Sequence, residues 1–168
     1  MTPVPSDRPQ LPRIEPDKML TRRHRRVMLR PLGRMRTHGW PYPFRQRPWE
    51  EIDAFLGDMA DRDERFRHMS DIVKSVLASD RTQALAASTS MHDLIVVPTP
   101  IPEPPYGVVA VRAPGSVHEP ALGLVRIEHL SVTGHDDVID RPVADAVPLF
   151  WRFMIEKFGV DPGAREAH

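Results

Sequence analysis

The chain predicts an α+β fold: a three- to four-stranded, mainly antiparallel sheet covered by two N-terminal helices and a C-terminal amphipathic helix. Three observations predict it. Apolar residues recur at helical period towards both ends of residues 48–160. Between them the pattern changes to short runs rich in Val, Ile and Leu. The links between those runs hold prolines and turn residues rather than helices, so neighbouring strands should pair antiparallel.

The first helix is predicted from Pro48, which needs no N–H in a first turn, with Glu50, Glu51 and Asp53 complementing the dipole. Trp49, Ile52, Phe55, Leu56 and Met59 give it one apolar face. Asp61 or Asp63 then offers a cap for a second segment, in which Phe66, Met69, Ile72, Val73, Val76 and Leu77 recur at helical spacing. Gly57 and the Asp61–Glu64 run favour two helices over one kinked helix. Thr82–Ser88 is an alanine-rich strand candidate, and Asp93–Val97 a short strand apolar on both faces. Pro98, Pro100, Pro102, Pro104 and Pro105 forbid helix and sheet interior, which makes a stiff connection. Strands are predicted again at Tyr106–Ala113 and Leu122–Val132, and Gly134 with His135, Asp136 and Asp137 reads as turn chemistry.

The last helix carries the clearest signal. Val143, Val147, Phe150, Trp151, Met154, Ile155 and Phe158 fall on one stripe, and Phe150, Trp151, Phe153 and Phe158 make this helix the expected anchor of the core. Gly159 stands where a left-handed cap is wanted, and Val160 can fold back on the last turn.

Residues 1–47 read differently. Five prolines in residues 1–17 predict an extended or disordered segment. Arg22, Arg23, Arg25 and Arg26 then cluster around His24, with Arg30 beyond, and no apolar face is sustained. Trp40, Tyr42 and Phe44 alternate with Pro41 and Pro43 in a strap expected to pack on the body or on a partner. Residues 161–168 are expected to form a flexible tail.

Composition narrows the chemistry. The 168 residues allow one domain with a real core, plus tails. Absence of cysteine excludes disulfides, thiolate zinc sites and thiol catalysis. No run approaches the apolar length of a membrane span, and the N-terminus lacks a signal-type stretch, so a cytoplasmic protein is expected. The net charge of zero hides an asymmetry: residues 1–47 carry twelve Lys/Arg against three Asp/Glu, and residues 48–168 eleven against twenty. Arginine outnumbers lysine 20 to 3, which fits a G+C-rich coding sequence before it argues function.

Three functions compete. The leading reading is a non-catalytic interaction protein, an adaptor, accessory or assembly subunit. Its basic aromatic arm (Arg22, Arg23, Arg25, Arg26, Arg30, Trp40, Tyr42, Phe44) would bind a protein partner or another copy of the chain. The alternative is nucleic-acid binding through the same arginines, by phosphate contacts that carry no base information. The third is a small enzyme with a site around His129 and His135. Along a strand His129 shares a face with Val125 and Ile127 while Glu128 points the other way, so convergence needs a bulge. Arg126 and Glu128 read as a cross-strand charge pattern at a solvent edge. The Ser88–Asp93 run contains no nucleophile elbow, and no phosphate-binding glycine loop is present. No metal and no cofactor are expected.

Overall fold

The computed structural model describes residues 38–163. Their order is α1 (Trp49–Arg62), α2 (Arg67–Leu77), five strands, β1 (Leu85–Ser90), β2 (Asp93–Pro98), β3 (Val108–Val111), β4 (Leu124–Leu130) and β5 (Asp137–Pro142), and then α3 (Ala146–Phe153). The sheet is a meander in the order β1-β2-β3-β4-β5, antiparallel throughout. Among the described residues no helix is long and apolar enough to cross a membrane.

The two N-terminal helices are separate. Asp63 is extended (φ −145°, ψ 107°) and ends α1, while its carboxylate accepts from Arg65 N at 3.0 Å and caps the 3-10 turn Glu64–Phe66 that leads into α2. An extended residue between two helical runs stops the first ladder, and its side chain serves the orphan donors of the next.

Five strands replace the expected three to four. The missed strand is β5, whose sequence DVIDRP lacks apolar alternation because it is an exposed edge strand. Only Ile139 of β5 packs against the main core. Backbone pairing and two ion pairs hold the rest: the Arg126 guanidinium donates to both oxygens of Asp140 at 2.8 Å, and Lys157 pairs with Asp137.

The helices cover one face of the sheet. Ile52, Leu56, Met69, Ile72, Phe150 and Phe153 pack on Leu94, Val96, Val109, Val111, Val125 and Ile127. The predicted C-terminal stripe needs correction at both ends. Val143 lies in a 3-10 turn and is 41% exposed, Ile155 is 49% exposed, and Leu149 and Phe153 take core positions instead. After Phe153 the helix widens into a π turn, Met154–Phe158, which shifts the phase of the stripe. Gly159 is left-handed (φ 68°), and the N–H groups of Gly159 and Val160 donate to Ile155 O and Met154 O, the capping expected there.

The opposite face grades from apolar to charged. Ala86, Val97, Val108 and Tyr106 form a second cluster with Ile95 and Ala110. At the other end lie Ser90, Asp93, Arg112, Arg126 and Asp140. Arg112 joins two carboxylates here, donating through Nη1 to Asp93 Oδ2 at 2.7 Å and through Nε to Glu128 Oε2 at 2.9 Å. Asp93 Oδ1 also accepts from Ala113 N at 2.8 Å. Arg126 and Glu128 each find a cross-strand partner, Asp140 and Arg112, but Glu128 is only 6% exposed, as is Asp93, so its pair is buried and not at the expected solvent edge. Burial opposes the charge of Arg112, but its hydrogen bonds to Glu128 and Asp93 overcome that and raise its pKa above the ordinary value.

The β1–β2 turn uses Met91 and His92, both at positive φ (48° and 79°), where Asn and Gly are the usual occupants. His92 is held there by rings, stacked on Phe55 and edge-on to Phe66, each centroid 5.9 Å away.

Candidate functional site

The strap of residues 38–47 lies over the apolar end of the outer face. Trp40 pairs with Tyr106 by two backbone hydrogen bonds, Trp40 N to Tyr106 O at 2.7 Å and Tyr106 N to Trp40 O at 3.3 Å. The Tyr106 hydroxyl donates to Tyr42 O at 2.7 Å, and Phe44 meets the Tyr106 ring edge-on at 6.4 Å. Gly39 is left-handed, and a Cβ there would lie 2.8 Å from Tyr106 O, so the strap can approach the sheet this closely only with glycine.

At its far end the strap closes the edge of β1. Arg47 N donates to Ala87 O and Arg47 Nη1 to Thr89 Oγ1, both at 2.8 Å, while Trp49 Nε1 donates to Leu85 O at 3.0 Å. Arg47 also lies over the Phe55 ring, 5.6 Å from its centroid.

Of the predicted contact residues, Trp40 and Phe44 therefore pack within the chain, and Tyr42 stays 68% exposed. The three rings, with Ser88, Ser90 and Ile95, line a groove of about 430 Å³ between strap and sheet. Arg22, Arg23, Arg25, Arg26 and Arg30 lie outside the described residues.

His129 faces the helices with Val125 and Ile127, as the alternation requires, and its ring is edge-on to Phe158 at 6.5 Å. Asp137 stands opposite in register and pairs with Lys157. His135 is exposed in the β4–β5 turn, where Asp136 accepts from Ser131 N at 2.7 Å. Glu128, on the far face, belongs to Arg112. Neither His129 nor His135 lines the groove under the strap, the cleft beside α2 or the recess beside β5.

That cleft beside α2 has a volume of about 540 Å³. It lies between the first turn of α2, the β3–β4 loop and the approach to α3, with His68 and Arg67 on one side and Pro120, Leu122, Leu124 and Val143 on the other. Arg65 pairs with Glu119 at its rim, at 3.4 Å. His68 is 7% exposed, and its Nε2 has no hydrogen-bond partner among the described residues.

No family model matches the chain, and neither a curated protein nor a solved structure proves similar to it.

The sequence reading missed His68. It stands four residues before Ile72 and eight before Val76, so helical period alone puts it on the buried face of α2. What period could not supply was the loop across from it, which comes from a segment some fifty residues away in the chain.

Buried His68 and half-buried His129 carry a pH prediction. Burial is the first cause that lowers His68 and His129 from the ordinary value of 6.5; Lys157 lowers His129 further. For each, nearby carboxylates act in the opposite direction, and a backbone hydrogen bond with Arg65 also does so for His68. The unfolded chain therefore binds these protons more readily than the folded one. Their stabilising contribution is complete above pH 6.5 and is lost as pH falls through the lowered folded values. Urea midpoints should drop between about pH 7.5 and about pH 5.5, and drop less in His129→Gln. An equal drop in the variant would show that His129 is not among the groups responsible.

Proposed function

We propose that the chain is a non-catalytic interaction protein, an accessory or assembly subunit that binds through its N-terminal arm, in a cytoplasmic setting. The observation that supports this best is the strap. It is fastened to the sheet at Tyr106 and at the β1 edge, which gives residues 38–47 a rigid seat on the body. Tyr42 is left exposed beside a groove, in the manner of an aromatic anchor with a rigid support. Trp40 and Phe44 act as fasteners, and Tyr42 with Arg22, Arg23, Arg25, Arg26 and Arg30 as the contact set.

The occupant that the charges favour is a second copy. Twelve basic residues against three acidic ones in residues 1–47 complement eleven against twenty in residues 48–168, which suits head-to-tail contact between copies.

The test uses full-length protein and a variant with Arg22, Arg23, Arg25 and Arg26 changed to alanine. Light-scattering mass and the 260/280 nm ratio are read at low and high salt. The wild type should be larger than a monomer at low salt with the absorbance of pure protein, and the variant monomeric. Equal masses for both proteins under both conditions would reject self-association and leave a foreign protein to be sought by pull-down. A high ratio lost in salt would move the arm to nucleic acid.

A further inference from the structure

The cleft beside α2 carries a reading independent of the strap. Its volume of about 540 Å³ falls in the range of small-molecule sites, which are mostly apolar with few polar groups. Pro120, Leu122, Leu124 and Val143 supply the apolar wall, and Leu122 (88% exposed) and Val143 (41%) leave large apolar side chains in water at its mouth. The polar group is His68, more than nine-tenths buried, whose Nε2 has no hydrogen-bond partner among the described residues. Buried nitrogens without partners are rare because desolvating them is unfavourable, and a ligand that supplies the missing bond recovers that cost.

The chemistry of the missing partner can be narrowed. Burial favours the neutral imidazole, which carries one ring hydrogen and leaves the other nitrogen to accept; with Nε2 as that acceptor, the missing partner is an O–H or N–H donor. Charge narrows it further. Glu64, Asp71 and Glu119 around the cleft outnumber Arg65 and Arg67, and Arg65 is drawn onto Asp63 and Glu119, which disfavours an anion. A cation would meet Arg67 and find no buried carboxylate to receive it, since Asp71 is exposed and the Glu119 side chain is 41% exposed.

We propose that this cleft binds a small, uncharged, apolar molecule carrying one hydrogen-bond donor, of the phenol or indole class. The donor reaches His68 Nε2, and the ring lies against Pro120, Leu122, Leu124 and Val143. The two sides of the cleft thus supply the two halves of one recognition.

The experiment titrates ¹⁵N-labelled full-length protein with 4-methylphenol and, separately, with 4-methylanisole, which keeps the ring but lacks the donor. Saturable shifts are expected at the amides of Leu122, Gly123, Ala144 and residues 67–71, with a change in the His68 Nε2 resonance. The ether should bind about fivefold to tenfold more weakly than the phenol, as for one lost hydrogen bond. His68→Phe should abolish that preference. Leu122→Asp, at a site too exposed to affect folding, should weaken both ligands and so tests the location even if the His68 variant fails to fold. Equal affinity for phenol and ether in the wild type, shifts located elsewhere, or shifts that do not saturate would each overturn the proposal.

Discussion

Replacing Arg112 with alanine is expected to lower the free energy of unfolding by about 3–5 kcal/mol, the range for stranding a buried charge. The guanidinium is the shared partner of two carboxylates, each 6% exposed, and no second cation forms an ion pair with them among the described residues. Asp93 Oδ1 keeps its bond from Ala113 N, but Asp93 Oδ2 and Glu128 Oε2 lose theirs. Two neighbouring carboxylates would then repel each other in a site of low polarity. Arg112→Lys should fall between, because a single ammonium cannot reproduce a fork that serves both acids. Glu128→Gln keeps an acceptor and should cost only about 1 kcal/mol. Urea midpoints at unchanged m-value provide the measurement. Arg152→Ala is the control, since its exposed i,i+4 pair with Glu156 should contribute well under 1 kcal/mol. If Arg112→Ala and Arg152→Ala lost the same amount, the buried triad would carry no special weight.

This triad also marks where sequence reading stops. Alternation along β4 places Glu128 opposite Ile127, and Arg112 is recognisable as a charge on a strand, so a partly polar outer face could be read. The pairing could not, because Asp93 and Glu128 come from β2 and β4 and meet only through Arg112 beyond β3. Local signals were legible where side chains were large or the backbone special: the aromatics of α3, the left-handed Gly159 and the apolar run of β2. β5 was illegible because an exposed edge strand needs no alternation, and the phase of the last turn because a π widening leaves no mark in a 3.6-residue pattern. For the candidate sites, the strap could be read as a segment that must dock somewhere. Its landing place on Tyr106 and the closure of β1 depend on contacts between residues 64 and 36 places apart.

Trp49 makes that closure testable, with an effect as large as that of Arg112. Trp49→Ala is expected to cost about 3–5 kcal/mol, the range for removing a buried aromatic, since Trp49 is 3% exposed and belongs to the main core. The indole has a second task. In the register of β1, Leu85 lies opposite Pro98, and its carbonyl turns outward to Trp49 Nε1. Two positions along, the Ala87 carbonyl turns outward to Arg47 N. Side chain and strap thus satisfy alternate acceptors on an edge that would otherwise be open for pairing with another chain. Trp49→Phe separates the two tasks, keeping most of the buried ring while stranding the Leu85 carbonyl, and should cost about 1–3 kcal/mol. Both variants should also associate in a concentration-dependent way that salt does not reverse, because backbone pairing at an edge is not driven by charge. Assembly through the basic arm responds to salt in the opposite sense, so light scattering across a salt series distinguishes a reopened edge from the proposed self-association. A Trp49→Phe protein as stable as the wild type and monomeric at every concentration would show that the indole hydrogen bond does not guard the edge, and would leave Arg47 alone in that role.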